Sequence, residues 1–98
     1  MSSFMNESTD RLFNVISLLN TKEKCRAFFE DLCTIKEIQD MAQRFDTAVL
    51  LDEGLSYNKI SEKVNVSSAT ISRVNRCMSY GSDGYKMAIS ALKENGEN

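Results

Sequence analysis

The stretch S-Y-N-K-I-S-E-K-V-N-V-S-S-A-T-I-S-R-V-N-R-C-M, residues 56–78, decides how the rest of the chain is read. It holds two short helical patterns separated by a turn. Ser56 can cap a helix over residues 57–63, with Tyr57, Ile60 and Val64 at helical spacing. Val64-Asn65-Val66 is the turn. Ser67 can cap a second helix running to Tyr80, with Ile71 and Val74 facing inward. Two such helices set at an angle make a helix-turn-helix. That motif makes specific demands. The residue after Ile60 lies where the helices come closest and has to be small, and it is Ser61. The turn needs a left-handed residue. Glycine is the usual choice and asparagine the next, and Asn65 stands there. Val66 then points into the core.

The outward face of the second helix reads Ser68, Ala69, Ser72, Arg73 and Arg76. Small side chains let the backbone approach base edges in a major groove, and hydroxyls can bond bases or phosphates. Arginine and lysine neutralise phosphates, so Lys59, Lys63, Arg73 and Arg76 are candidate backbone contacts. Ser67 leaves the start of this helix open to a phosphate. A helical hairpin that packs without touching DNA is the plainer alternative.

The charge distribution bears on that choice. The 98-residue chain carries a formal charge of −2. Residues 56–80 hold four basic side chains and one acidic one, a local +3. Residues 1–55 hold six basic and ten acidic, a local −4. One short basic segment in an acidic protein is the pattern an electrostatic footprint would leave.

The flanking sequence reads as helix throughout. There is no proline, and the glycines are Gly54, Gly81, Gly84 and Gly96. A first helix is expected from about Ser8 to Leu19, with Ser8 or Thr9 as cap. A second starts at Thr21, with Cys25, Phe28, Phe29 and Leu32 on its apolar face. Thr34 and Glu37 make a T-x-x-E capping box for a third, long helix. Its stripe runs through Ile35, Ile38, Met41, Ala42, Phe45, Ala48 and Val49, and Gly54 marks a left-handed stop. Gly81 and Gly84 separate the reading helix from a last one carrying Tyr85, Ala88, Ile89 and Leu92. The ends, residues 1–7 and 94–98, are expected to fray. The whole is expected to be one all-α domain over residues 1–98, and its thin core makes dimerisation a natural extension.

Several functions are disfavoured. The chain has no histidine, no nucleophile elbow, no phosphate loop and no metal-ligand spacing, so an enzyme is the weakest option. Cys25, Cys33 and Cys77 read as reduced thiols that pack as small apolar groups. Apolar residues make up 42% and charged residues 27%, without a run long enough to span a membrane, so a cytoplasmic protein is expected.

Beyond the motif itself, the T-I-K-E-I-Q-D-M-A-Q-R-F stretch, the D-E-G stop and N-V-S-S-A-T-I-S-R-V-N-R-C-M resemble the Trp repressor superfamily. F-F-E-D-L-C-T-I and Y-G-S-D-G-Y bring the chain closer to Trp-repressor-related proteins of the YerC/YecD type, over roughly residues 10–93. The resemblance implies a six-helix, Trp-repressor-like helix-turn-helix fold in an intertwined homodimer, reading a palindromic operator in double-stranded DNA. It implies DNA-facing roles for Asn58, Ser61, Ser68, Ala69, Thr70 and Ser72. Asn58 and Ser61 stand where the repressor has basic side chains. The resemblance also places Thr34, Arg44 and Arg73 at the family's ligand positions. There Val74 replaces a glycine, Cys77 a serine, and Asp31 and Cys33 leucines, which argues against tryptophan as effector. The plainer reading of Arg44 and Arg73 is pairing with Asp31, Glu37 or Asp40, or contact with phosphate.

The expected function is thus a sequence-specific transcriptional regulator, a repressor acting as a homodimer. A helical interaction module without DNA binding, and an amino-acid-responsive repressor with its pocket at Thr34, Arg44 and Arg73, are the alternatives. No cofactor is expected, and the sequence does not identify a small-molecule corepressor.

Overall fold

Capping side chains set the starts of the first five helices. The computed structural model describes residues 4–96, and among these the chain forms six α-helices and no strand. They are α1 (Glu7–Leu18), α2 (Lys22–Leu32), α3 (Ile35–Asp52), α4 (Tyr57–Val64), α5 (Ser68–Tyr80) and α6 (Gly84–Glu94). The chain divides into two compact units, Met1–Ile38 and Gln39–Asn98, with the boundary inside α3.

In the first unit, α1 starts earlier than the sequence suggests. Its cap is Asn6, neither Ser8 nor Thr9. The Asn6 Oδ1 accepts from the Thr9 amide at 2.9 Å, and the Thr9 hydroxyl oxygen accepts from the Asn6 amide at 2.8 Å. Thr9 thus closes a reciprocal box from inside the first turn, where the sequence suggested a residue outside it. Thr21 caps α2 by accepting from the Lys24 amide at 3.1 Å. Thr34 and Glu37 form the expected box at the start of α3: the Thr34 amide donates to Glu37 Oε1 at 2.8 Å, and the Glu37 amide to Thr34 Oγ1 at 3.1 Å. Phe28 and Phe29 meet edge to face at 5.7 Å. Neither α1 nor α2 buries a side chain, and Leu18 and Ile35 are three-quarters exposed.

The second unit has a true core. One cluster joins Ala48 of α3, Val74 and Met78 of α5, and Ile89 of α6. The other joins Ile60 of α4, Val66 of the turn and Ile71 of α5. Leu51 packs against both, so α3 backs the whole helix-turn-helix. Thr47 is fully buried and donates to the Gln43 carbonyl at 2.8 Å, so its hydroxyl is satisfied within the helix. At the end of α3, Gly54 sits at φ 88°. Its amide donates to Leu51 O at 3.0 Å and the Leu55 amide to Leu50 O at 3.1 Å, a Schellman stop that turns the chain into α4.

The 81–84 turn follows expectation, with Gly81 ending α5 and Gly84 starting α6. Its left-handed residue is Asp83, at φ 64°, and neither glycine has positive φ. Gly81 is required for space: a Cβ there would collide with the Cys77 carbonyl. Glu7 and Glu94 are helical where fraying was expected. Residues 1–3 and 97–98 of those same ends lie outside the described residues. Among the described residues, no helix is long and apolar enough to cross a membrane.

Candidate nucleic-acid interface

The turn between α4 and α5 is held by four local bonds. Ser56 Oγ accepts from the Lys59 amide at 3.3 Å and so starts α4. Asn65 ends it in the left-handed region, at φ 61° and ψ 49°, with its amide donating to Ser61 O at 2.9 Å. The Ser61 hydroxyl donates to the Val66 carbonyl at 2.9 Å. Ser67 Oγ accepts from the Thr70 amide at 3.2 Å and starts α5. Each bond spans a few residues, so the angle between the helices is specified locally and then sealed by Ile60, Val66 and Ile71.

This arrangement divides α5 lengthwise. Ile71, Val74 and Met78 are buried. Ser68, Ala69, Ser72, Arg73 and Arg76 are exposed, and from α4 and its flanks so are Asn58, Lys59, Lys63 and Ser67. Ser61 and Thr70 are half-buried. The outward surface therefore combines short side chains on α5 with basic groups from both helices. Two of the hydroxyls already donate within the protein, Ser61 to the Val66 carbonyl and Ser67 to Thr70 Oγ1 at 3.2 Å. Cys77 is exposed, not packed in the core. It lies off the stripe that Val74 and Met78 direct inward.

Behind this surface lies an open cavity of about 330 Å³. Arg44 and Gln43 of α3 line it from one side, and Asn65, Ser67, Thr70 and Arg73 from the other, with Asp40 and Val66 completing the wall. Arg44 and Arg73, paired by sequence reasoning, are thus brought to one cavity. Thr34 is not among its lining residues. It belongs to the first unit, and its hydroxyl and amide are engaged in capping α3. Sequence reasoning did not single out Gln43 or Asn65 for this cavity. The available signal was the polar run of Asp40, Gln43 and Arg44 at i, i+3 and i+4 on one helical face.

A six-helix chain with an α4–turn–α5 unit of this geometry defines a helix-turn-helix protein. Residues 7–93 match the family model described as Trp repressor protein. The chain is 53% identical over 85 residues to the uncharacterized protein YerC of Bacillus subtilis (strain 168), covering 87% of this chain and 82% of that one. Two solved structures are also similar. A TrpR-like protein from Eubacterium eligens ATCC 27750 superposes with a TM-score of 0.86 at 43% identity, covering 90% of this chain and 91% of that one. A candidate Trp repressor from Staphylococcus aureus gives 0.87 at 38%, covering 91% and 89%. The chain belongs to the Trp repressor family, a family of helical DNA-binding regulators, not enzymes.

Proposed function

We propose that the protein is a sequence-specific transcriptional repressor, acting in the cytoplasm as a homodimer on a palindromic operator. The observation that carries this reading is the outward face of α5. Ser68, Ala69 and Ser72 are small enough to let that helix enter a major groove, and Lys59, Lys63, Arg73 and Arg76 are exposed to meet the flanking phosphates. The dimer is supported by the first unit. Two amphipathic helices that bury nothing, with Phe13 and Leu32 half exposed, leave apolar surface that a second copy would cover. The second unit offers a trough of about 400 Å³ lined by Phe45, Val49, Leu50, Val64 and Leu92, with Asp46 and Lys63 at its charged edge. A two-fold dimer would set its reading helices about 34 Å apart to meet successive major grooves.

In vitro selection from a randomised duplex library tests the reading. An inverted repeat with half-sites one helical turn apart is expected. Arg73→Ala and Arg76→Ala should each weaken binding and lower the salt dependence. Selection that enriches no sequence from the library would sink it.

A further inference from the structure

We infer that Asn75, on the exposed side of α5, reads an adenine in the operator and so helps to set the sequence that is bound. This rests on the DNA-binding reading above and extends it to the choice of base.

Helical phase places Asn75 with the reading face. Ser68, Ser72 and Asn75 stand at i, i+4 and i+7 on α5, so they form one line along the helix. All three are exposed, while Ile71, Val74 and Met78 are turned inward. The line is uncharged. Arg73 and Arg76 occupy the adjacent line, so neutral polar groups and cations run side by side down the outward surface. Seven residues of helix rise about 10 Å, close to the rise of three base pairs. A helix lying in a major groove would thus set Asn75 about three base pairs from Ser68. Asn75 does not line the trough that a second copy would cover.

The chemistry of the side chain selects the base. In the major groove adenine presents a ring-nitrogen acceptor beside an amino donor. A carboxamide carries an acceptor oxygen and a donor nitrogen in one plane, and it engages both at once. A serine hydroxyl offers both functions from a single atom, and a guanidinium has only donors, which suits guanine. Asn75 is the one carboxamide on α5. Ser61 and Ser67 donate within the protein, but among the described residues the Asn75 amide makes no side-chain hydrogen bond. Asparagine is also a weak helix former at an interior position. The fold draws nothing from Asn75 that alanine would not supply better, and a local choice of that kind marks recognition.

In vitro selection with wild type and Asn75→Ala, followed by fluorescence anisotropy, tests this. Wild type is expected to select an adenine at one position of each half-site that Asn75→Ala leaves unselected, with the other positions unchanged. On the wild-type duplex Asn75→Ala should bind about 5- to 150-fold more weakly. The slope of log K against log salt should stay the same, because no charge is removed. Placing 7-deazaadenine at that position, where carbon replaces the ring nitrogen, should weaken wild type and leave Asn75→Ala nearly unaffected. Asn75→Ala should melt no lower than wild type. Should it fail to fold, Asn75→Leu, which keeps the volume without the amide, decides. An unchanged selected sequence in the variant would overturn the role of Asn75, and so would a preference lost at a base other than adenine. A lower melting temperature with equal weakening on selected and scrambled duplexes would mark a structural residue and overturn it too. A wild type that enriches no sequence would overturn the DNA-binding reading itself.

Discussion

The Ser61 hydroxyl and the Val66 carbonyl are joined at 2.9 Å across the turn of the helix-turn-helix. The bond ties the fourth residue of α4, counted back from the turn, to a residue of the small core, and it is partly buried. Serine is therefore suited to a position that sterics alone would assign to alanine.

Ser61→Ala removes the donor and leaves the Val66 carbonyl short of a partner. The variant should lose about 1 kcal/mol of stability. Urea unfolding followed by circular dichroism measures the change. A gain in stability would show that close helix approach, not the hydrogen bond, governs this position.

Asn65 holds a left-handed conformation at φ 61°. Asn65→Ala should cost about 1 kcal/mol, while Asn65→Gly, which has no Cβ to clash, should leave stability nearly unchanged. Asn65→Val should be worse than alanine, because branching adds to the strain. Thermal unfolding of the three variants gives the order.

Ile71 is fully buried and Cys77 is exposed, although both lie on α5. Ile71→Ala should cost roughly 2–5 kcal/mol through lost burial and a cavity between α4 and α5. Cys77→Ser should stay within about 0.5 kcal/mol of wild type. Chemical denaturation separates them. A large loss at Cys77 would mean that its side chain is covered in the assembled protein.

The two glycines of the 81–84 turn should respond oppositely. A methyl group at Gly81 meets the Cys77 carbonyl, so Gly81→Ala requires the backbone to shift and should destabilise by about 1–3 kcal/mol. Gly84 starts α6 with open space around it and without positive φ. Gly84→Ala should stabilise by about 0.5 kcal/mol, by reducing the freedom of the unfolded chain. Differential melting curves are sufficient to see both signs.

Much of the second unit was legible from sequence because its determinants act over short distances. Ser56, Asn65 and Ser67 meet their partners within four residues. Gly54 and the Thr34–Glu37 box were readable for the same reason. The miss at Asn6 has the same scale. Two caps compete within one turn, and the preference between them depends on small differences in local hydrogen bonding. Cys77 was misread because one residue of helical register separates the buried stripe from its edge.

The sequence by itself determined the six helices, the angle-setting turn and the polar face of α5, since caps, helical period and a left-handed asparagine are encoded within a few neighbouring residues. Only the tertiary structure decided that Arg44 and Arg73 line one cavity. That outcome depends on how α3 lies against α5. Packing of Ala48 with Val74 fixes that placement, and no pattern along a single helix contains it.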